Sequence, residues 1–169
     1  SPTDYGNYYA WGETSPKDVY DWSTYCYCNG SSHSLTKYCG SSSYGYDGFT
    51  DGLTTLQPDD DAATANNGER TPTIAEWEEL IDNTTQQWES IDGVNGLRFT
   101  GSNGNSIFLP ASGYRRGSDL ESAGSDVYYW SSSLQATYPN TAWYCSSDSS
   151  NAYMGNYYRS RGYTVRAVR

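Results

Sequence analysis

The sequence predicts one loop-rich α+β domain over residues 1–169, in which two helices are followed by short, mostly antiparallel strands. Three observations support this prediction. Residues 1–52 show no sustained apolar period, residues 71–83 carry a capped amphipathic pattern, and short alternating segments occupy the second half. The chain is long enough for one well-buried core and short for two.

The first half of the chain predicts irregular backbone and then two helices. Aromatic residues interspersed with Gly and Ser fill residues 1–52, so we expect no long element there. Carboxylates at 59–61 precede an Ala-rich turn, which favours a short helix because negative charge stabilises a helix N-terminus. Thr73 and Glu76 have the spacing of a capping box at the start of the clearest helix, 71–83.

The second half of the chain predicts strands. Residues 96–110 alternate around Asn103-Gly104, a dipeptide that is typical of a hairpin turn. Further short strands are predicted at 126–133, 140–148 and 163–168. Helices followed by a run of strands indicate an α+β fold rather than alternating βαβ units.

The composition argues against several classes of partner. A formal net charge of −10 repels phosphate groups, and the few cations form no dense basic stripe, so we expect neither nucleic acid nor direct membrane insertion. No apolar run approaches the roughly 20 residues that a membrane-spanning helix needs. The 18 Tyr and 6 Trp favour half-exposed surfaces, because each of these rings carries a polar group.

The reactive side chains form no catalytic or metal-binding pattern, so we expect a protein that is not an enzyme and uses no cofactor. His33 is the only histidine, and no pattern of nucleophile, base and orienting acid surrounds it. Adjacent carboxylates at 59–61 point in different directions on a helix, unlike the alternating ligands of a calcium loop.

Four cysteines could form two disulfide bonds. The spacing of Cys26 and Cys28 is too short for a zinc-binding pair. A bridge between Cys28 and Cys39 that closes the intervening loop is our preferred interpretation, and free buried thiols are the alternative. Such a bridge would indicate an oxidising compartment.

The segment 151–161, NAYMGNYYRSR, has the composition of a binding surface. Antibody paratopes use the same residues, because rigid amphipathic rings combine well with adaptable hydrogen-bonding groups. Exposed aromatic clusters usually mark interaction sites. We therefore expect this segment to be displayed, and residues 162–169 to form a scaffold strand anchored by Val165 and Val168.

Several motifs together resemble the bacterial Fibrobacter-type major paralogous domain. They occur in the order DYGNYYAWGETSPK, CNGSSHSLTKYC, DDAATANNGERTPTIAEWEEL, GVNGLRFTGSNGNSIFLPASGYRRG, YYWSSS, AWY and GYTVRAVR, and they span nearly the whole chain. That family resembles C-type lectins in fold. Some of its members are variable proteins of diversity-generating retroelements, in which a reverse transcriptase rewrites the end of a gene at template adenines.

The resemblance implies a C-type-lectin-like fold with a variable region at about 128–163. It implies that the scaffold consists of Trp130, Ser131, Ser132, Ala142, Arg159, Gly162, Val165 and Arg166. The diversified, ligand-facing set would be Leu134, Gln135, Thr137, Tyr138, Asn140, Tyr144, Ser146, Asp148, Tyr153, Gly155, Asn156, Tyr157, Tyr158, Ser160 and Arg161.

The resemblance also implies a function and a location. We expect a hypervariable receptor or adhesin domain of a larger surface protein, outside a bacterium or on a phage virion, that binds a protein or glycan on another cell or particle. A carbohydrate-binding lectin, with or without Ca²⁺, is the alternative. The chain departs from the family where ERTPT replaces a Trp-Arg-Met-Pro-Thr run, and where Cys145 and Ser147 replace larger core residues.

Overall fold

Two short helices precede eight strands in the computed structural model, which describes residues 1–169. The helices are α1, Ala62–Asn67, and α2, Ile74–Asp82. The strands are β1 Thr84–Ile91, β2 Val94–Gly101, β3 Ser106–Pro110, β4 Tyr114–Arg116, β5 Asp119–Glu121, β6 Val127–Leu134, β7 Thr141–Ser147 and β8 Tyr153–Tyr158. The predicted α+β class is confirmed.

Both helices begin where the sequence predicts. Asp61 accepts a hydrogen bond from the backbone N–H of Ala63 and caps α1. Thr73 and Glu76 form the predicted capping box at α2, since the side chain of each accepts a bond from the backbone N–H of the other. Trp77 of α2 is buried in the core, and Leu80 and Ile81 pack against the same cluster. None of the helices is both long and apolar enough to span a membrane.

All strands pair antiparallel, in three small sheets with the orders β1-β2-β3, β4-β5 and β6-β7-β8. The predicted hairpin at Asn103-Gly104 joins β2 to β3. Strand β1 was not expected, because its sequence TTQQWESI is mostly polar. It pairs with β2 through Asp92-Gly93, whose φ angles of 50° and 81° are those of a tight hairpin turn.

The sheet β6-β7-β8 separates two hydrophobic clusters. On one side, Val127, Tyr129 and Cys145 pack with Trp77 of α2 and with apolar residues of β2 and β3. On the other side, Trp130 packs in a second cluster with residues of the irregular N-terminal segment. This segment contains only one short 3₁₀ turn before residue 53, as expected, and it serves as the cover of the sheet.

The C-terminal part differs from the prediction. Residues 163–168 are not a strand, because their backbone bonds go to three separate segments through bridges of Tyr163 to Tyr9, Thr164 to Tyr129, and Val168 to Arg70. Residues 153–158, expected to be displayed but given no predicted element, form the edge strand β8 and pair along β7. The displayed tyrosines therefore stand on regular backbone.

The predicted Cys28–Cys39 disulfide is not formed, and all four cysteines are free thiols. The Sγ atom of Cys28 donates to the carbonyl oxygen of Trp22 at 3.1 Å, whereas Sγ of Cys39 donates to that of Ser41 at 3.1 Å. Backbone hydrogen bonds organise the loop instead, including a bridge between Cys28 and Leu35. No cross-link is needed to close it.

Candidate ligand-binding face

One side of the sheet β6-β7-β8 carries a row of tyrosines. The register pairs Tyr128 with Ser146 and Ser146 with Tyr153, so the side chains of these residues share one side of the sheet. Alternation along β7 and β8 adds Tyr144 and Tyr157 to the same side. With Tyr114 of β4, which packs beside them, they form a surface that we call the tyrosine face: Tyr114, Tyr128, Tyr144, Tyr153 and Tyr157.

Aromatic contacts hold the inner part of the tyrosine face in place. The ring centroids of Tyr114 and Tyr128 lie 5.0 Å apart, and those of Tyr128 and Tyr144 lie 5.6 Å apart. Beneath them the buried ring of Tyr163 lies 5.0 Å from Tyr144 and stacks on Trp130 at 4.2 Å. Such pairs fix ring orientation and stabilise beyond the area they bury. The inner tyrosines are therefore preorganised.

A glycine positions the central ring. A Cβ atom on Gly155 would lie 2.8 Å from the hydroxyl oxygen of Tyr144 and 2.9 Å from its Cζ atom. The ring of Tyr144 therefore lies across the backbone of β8, where only a glycine leaves room. Gly155 was expected to vary among ligand-facing residues, and here it forms the floor under one of them.

The hydroxyl groups of the tyrosine face are largely free. Only that of Tyr114 has a partner within the protein, the carboxylate of Glu121. Burial, followed by the neighbouring Tyr153 and Tyr157, raises the pKa of Tyr144 to about 12, so this hydroxyl stays neutral at physiological pH. A row of neutral hydroxyls on partly exposed rings can donate and accept hydrogen bonds to a ligand.

Arg161 lies at the border of the face. Its guanidinium carbon is 5.4 Å from the centroid of the Tyr157 ring. Across the backbone bridge of Arg115 and Gly162, the neighbouring position is occupied by Arg116, which forms an ion pair with Glu121. Charge on this border is therefore carried by two arginines and one glutamate.

The predicted ligand-facing residues divide into three groups by exposure. The exposed residues are Thr137, Tyr138, Asp148, Tyr153, Tyr157 and Tyr158. The half-buried residues are Gln135, Tyr144, Gly155, Asn156 and Arg161. The buried residues are Leu134, Asn140, Ser146 and Ser160.

The four buried residues do not face solvent, contrary to the prediction. Leu134 packs in the cluster around Trp130, and Ser146 lies at 1% exposure between the tyrosines that flank it in the sheet. The backbone carbonyl of Asn140 accepts from the N–H of Arg159. Ser146 lies on the same side of the sheet as the tyrosines, and Asn140 and Ser160 lie just outside β7 and β8, so neighbouring side chains rather than strand alternation bury these residues.

Not all exposed predicted residues belong to one surface. Tyr158 ends β8, where its ring lies 5.0 Å from that of Tyr157 and packs edge-on against Trp22 of the N-terminal segment, with 5.8 Å between ring centroids. Tyr138 is the most exposed tyrosine among them, at 54%, and lies in the loop between β6 and β7. The tyrosine face thus contains three of the predicted residues, Tyr144, Tyr153 and Tyr157.

Sequence reasoning missed Tyr114 and Tyr128. Tyr128 alternates with Trp130 in the strand-like run YYWSSS, which was a usable signal that both lie on one side of the sheet. Tyr114 comes from a separate sheet and approaches only through the pairing of Arg115 with Gly162. No local pattern in the sequence indicates that approach.

The other residues considered for chemistry have structural roles. Asp60 is buried and accepts hydrogen bonds from Tyr27, Tyr38 and Lys37, while Asp61 accepts bonds at the start of α1. His33 is exposed and stacks on Tyr44 with 4.7 Å between ring centroids. No three His, Cys, Asp or Glu side chains gather in a group that could hold a metal ion.

The strands that carry the tyrosine face lie in a region of the chain that matches a protein-family model. Residues 84–168 match the model of a domain of unknown function, DUF8237. The chain belongs to the DUF8237 family. The DUF8237 match begins at β1 and includes all eight strands and the whole tyrosine face. No curated protein and no solved structure matches the chain.

Proposed function

We propose that this DUF8237 protein is a non-enzymatic binding module that contacts a macromolecular ligand through the tyrosine face. The observation that carries the proposal is the row of rings, supported by buried aromatic residues, in which every hydroxyl except that of Tyr114 has no partner in the protein. Tyrosine supplies large contact area at low entropic cost, and preorganised rings lose little further freedom on binding. Exposed Tyr153 and Tyr157, at 49% and 44%, would be the outer anchors.

The proposed fold is C-type-lectin-like, and the proposed origin of the face is diversification by a retroelement. Support comes from the burial of most expected scaffold residues, Trp130, Ser131, Ser132, Ala142, Arg159 and Gly162, beside exposed tyrosines on the same strands. Fixed buried positions that alternate with exposed ones allow the surface to change without loss of the core. Arg166 departs from this pattern, because it is exposed.

The proposed location is the outside of a bacterial cell or a phage virion, within a larger surface protein. The partner is a protein or glycan on another cell or particle. This part of the proposal depends on the resemblance to the Fibrobacter-type domain and on the composition of the face, which is suited to recognition.

Binding by defined probes tests the function. Random linear peptides displayed on phage and an array of glycans would be screened with the wild-type protein and with the variant Tyr153→Ala/Tyr157→Ala. We expect bound probes to lose roughly tenfold or more in affinity, because aromatic side chains that a ligand buries dominate the energy of interfaces. Tyr46→Ala is the matched control, since Tyr46 is as exposed as Tyr157, at 44%, and lies outside the face.

Retention of full affinity by the double variant, with native circular dichroism, would show that the tyrosine face is not the binding site. Equal losses in the double variant and in Tyr46→Ala would show that the probes respond to exposed tyrosines in general.

A further inference from the structure

Arg161 has a charge that the protein leaves unpaired. None of the seven salt bridges includes this residue. Its Nε atom is the single buried side-chain nitrogen or oxygen without a hydrogen-bond partner. A charged donor that has lost water and gained no acceptor costs free energy, and an incoming acceptor recovers part of that cost.

The neighbours of Arg161 do not supply an acceptor. The ring of Tyr157 lies beneath the guanidinium, so one side of it is covered by an aromatic face. Glu121 is the nearest carboxylate on this border, and Arg116 and the hydroxyl of Tyr114 already occupy both of its oxygens. Two arginines therefore share one glutamate, which leaves one net positive charge here on a protein of net charge −10.

We propose that the tyrosine face takes a protein ligand that places an Asp or Glu carboxylate on Arg161. This inference rests on the proposed function of the same face. No salt bridge within the protein engages this guanidinium, and a carboxylate can accept from two of its N–H groups at once, as arginine forks favour. Stacking on Tyr157 holds the fork in place before the ligand arrives.

The shape of the surface favours a protein over a small glycan. Five cavities of about 10, 290, 360, 490 and 580 Å³ are lined by other residues, and none of the five includes a member of the tyrosine face or Arg161. Small ligands bind in concave sites, whereas protein interfaces are enriched in aromatic residues and arginine.

The test uses random linear peptides displayed on phage, selected on the wild-type protein. Selected peptides are then measured against Arg161→Gln, Arg161→Lys and the control Arg166→Gln, which removes the same charge from an exposed arginine that also lacks a salt bridge. We expect the peptides to share an acidic residue and to lose roughly tenfold or more in affinity with Arg161→Gln, because close charge pairs at interfaces couple strongly. Arg161→Lys should lose part of this, since lysine lacks the fork.

A double-mutant cycle makes the assignment specific. Replacement of the shared Asp or Glu of the peptide by Asn or Gln should weaken binding to the wild type and have little further effect on Arg161→Gln. Thermal unfolding of each variant tests whether the fold is kept. If Arg161→Gln is less stable than the wild type, Arg161→Lys, which preserves the charge, takes its place in the cycle.

Three results would overturn the inference. In the first, the selected peptides share no acidic residue, bind Arg161→Gln as tightly as the wild type and lose affinity only for Tyr153→Ala/Tyr157→Ala. This result would leave the proposed function standing and remove the role of Arg161. Binding of acidic glycans but of no peptide would show a different class of ligand. A failure to enrich any peptide over the Tyr153→Ala/Tyr157→Ala variant would show that the face is not a protein-docking surface.

Discussion

The Nη1 atom of Arg159 donates a hydrogen bond to the carbonyl oxygen of Tyr38 at 2.9 Å, across 121 residues of sequence. The same guanidinium donates to the carbonyl oxygens of Lys37 and Pro139 and to the hydroxyl of Tyr25. Arg159 is fully buried and has no carboxylate partner. Its charge is instead surrounded by carbonyl oxygens and aromatic rings, so the residue after β8 fastens the irregular N-terminal segment to the sheet.

Replacement of Arg159 should destabilise the protein strongly. We expect Arg159→Met to lower the free energy of unfolding by about 3–5 kcal/mol, because several buried carbonyl groups lose their donor at once. Urea unfolding measures the change. Arg166→Met, at an exposed site, should stay within about 0.5 kcal/mol of the wild type. Equal stability of the two variants would mean that Arg159 does not hold the segment.

A methyl group on Gly155 should disturb the tyrosine face more than the fold. The new Cβ atom of Gly155→Ala would lie under 3 Å from the ring tip of Tyr144, which must move. We expect a loss of about 1 kcal/mol in stability, at the low end for overpacking because a half-buried ring can shift. Affinity for probes that bind the face should fall severalfold.

The control for this change is Gly104→Ala in the distant β2–β3 turn, where φ is 83° and the added Cβ meets no atom within 4 Å. It should cost stability through backbone strain and leave binding unchanged. If Gly155→Ala bound every probe as the wild type does, the position of Tyr144 would not matter for recognition.

Stability should fall in alkaline solution. Burial raises the pKa of Tyr129 to about 12 and that of Tyr144 to about 12, above the value of about 10 for an unfolded tyrosine. A raised pKa in the folded state contributes stability that is present below pH 10 and is lost as the pH rises towards 12. Urea unfolding at a series of pH values, with tyrosinate absorbance as a second probe, measures the slope.

The variant Tyr144→Phe serves as the control for the alkaline slope. No hydrogen bond contributes to the raised pKa of Tyr144, so removal of its hydroxyl should cost little at neutral pH and should make stability less dependent on pH above 10. If the free energy of unfolding did not change between about pH 9 and about pH 12, the burial of these hydroxyls would be contradicted.

The thiols should differ in reactivity according to exposure. Cys26 is exposed, whereas Cys39 and Cys145 are fully buried, and burial raises the pKa of both Cys26 and Cys145 to about 12. Access therefore distinguishes the thiols: iodoacetamide should label Cys26 slowly in the folded protein, because the thiolate is the reactive form, and label Cys39 and Cys145 only after unfolding. Mass spectrometry without a reductant counts the labels. Two labels instead of four after complete unfolding would reveal a disulfide bond.

The local signals in the sequence were sufficient for the elements that depend on local chemistry. The capping box of Thr73 and Glu76 places α2, and Asn103-Gly104 places the hairpin of β2 and β3. Strand β1 was not predicted because its polar residues face solvent on one side, although Asp92-Gly93 was an available turn signal. Polar edge strands carry too few apolar residues for their period to be visible.

The composition of the tyrosine face could be predicted from the sequence, but not which residues form it. Tyrosine fits both a core and a surface, so alternation between Tyr153 and Met154 does not register as an apolar period, and the sequence predicts no strand at β8. Tyr114 joins the face by a contact between distant segments. Burial of Ser146 and Ser160 follows from strand register and the packing beyond β8, which composition does not encode.

Sequencing of the DNA around the gene tests most directly whether the tyrosine face is a diversified binding surface. We expect a near-copy of the segment that encodes residues 128–163, beside a reverse transcriptase gene. Differences should fall at adenines that change exposed codons such as those of Tyr153 and Tyr157, and should spare the buried Trp130 and Arg159. A locus with no such copy, or differences spread equally over buried and exposed codons, would contradict this origin of the face.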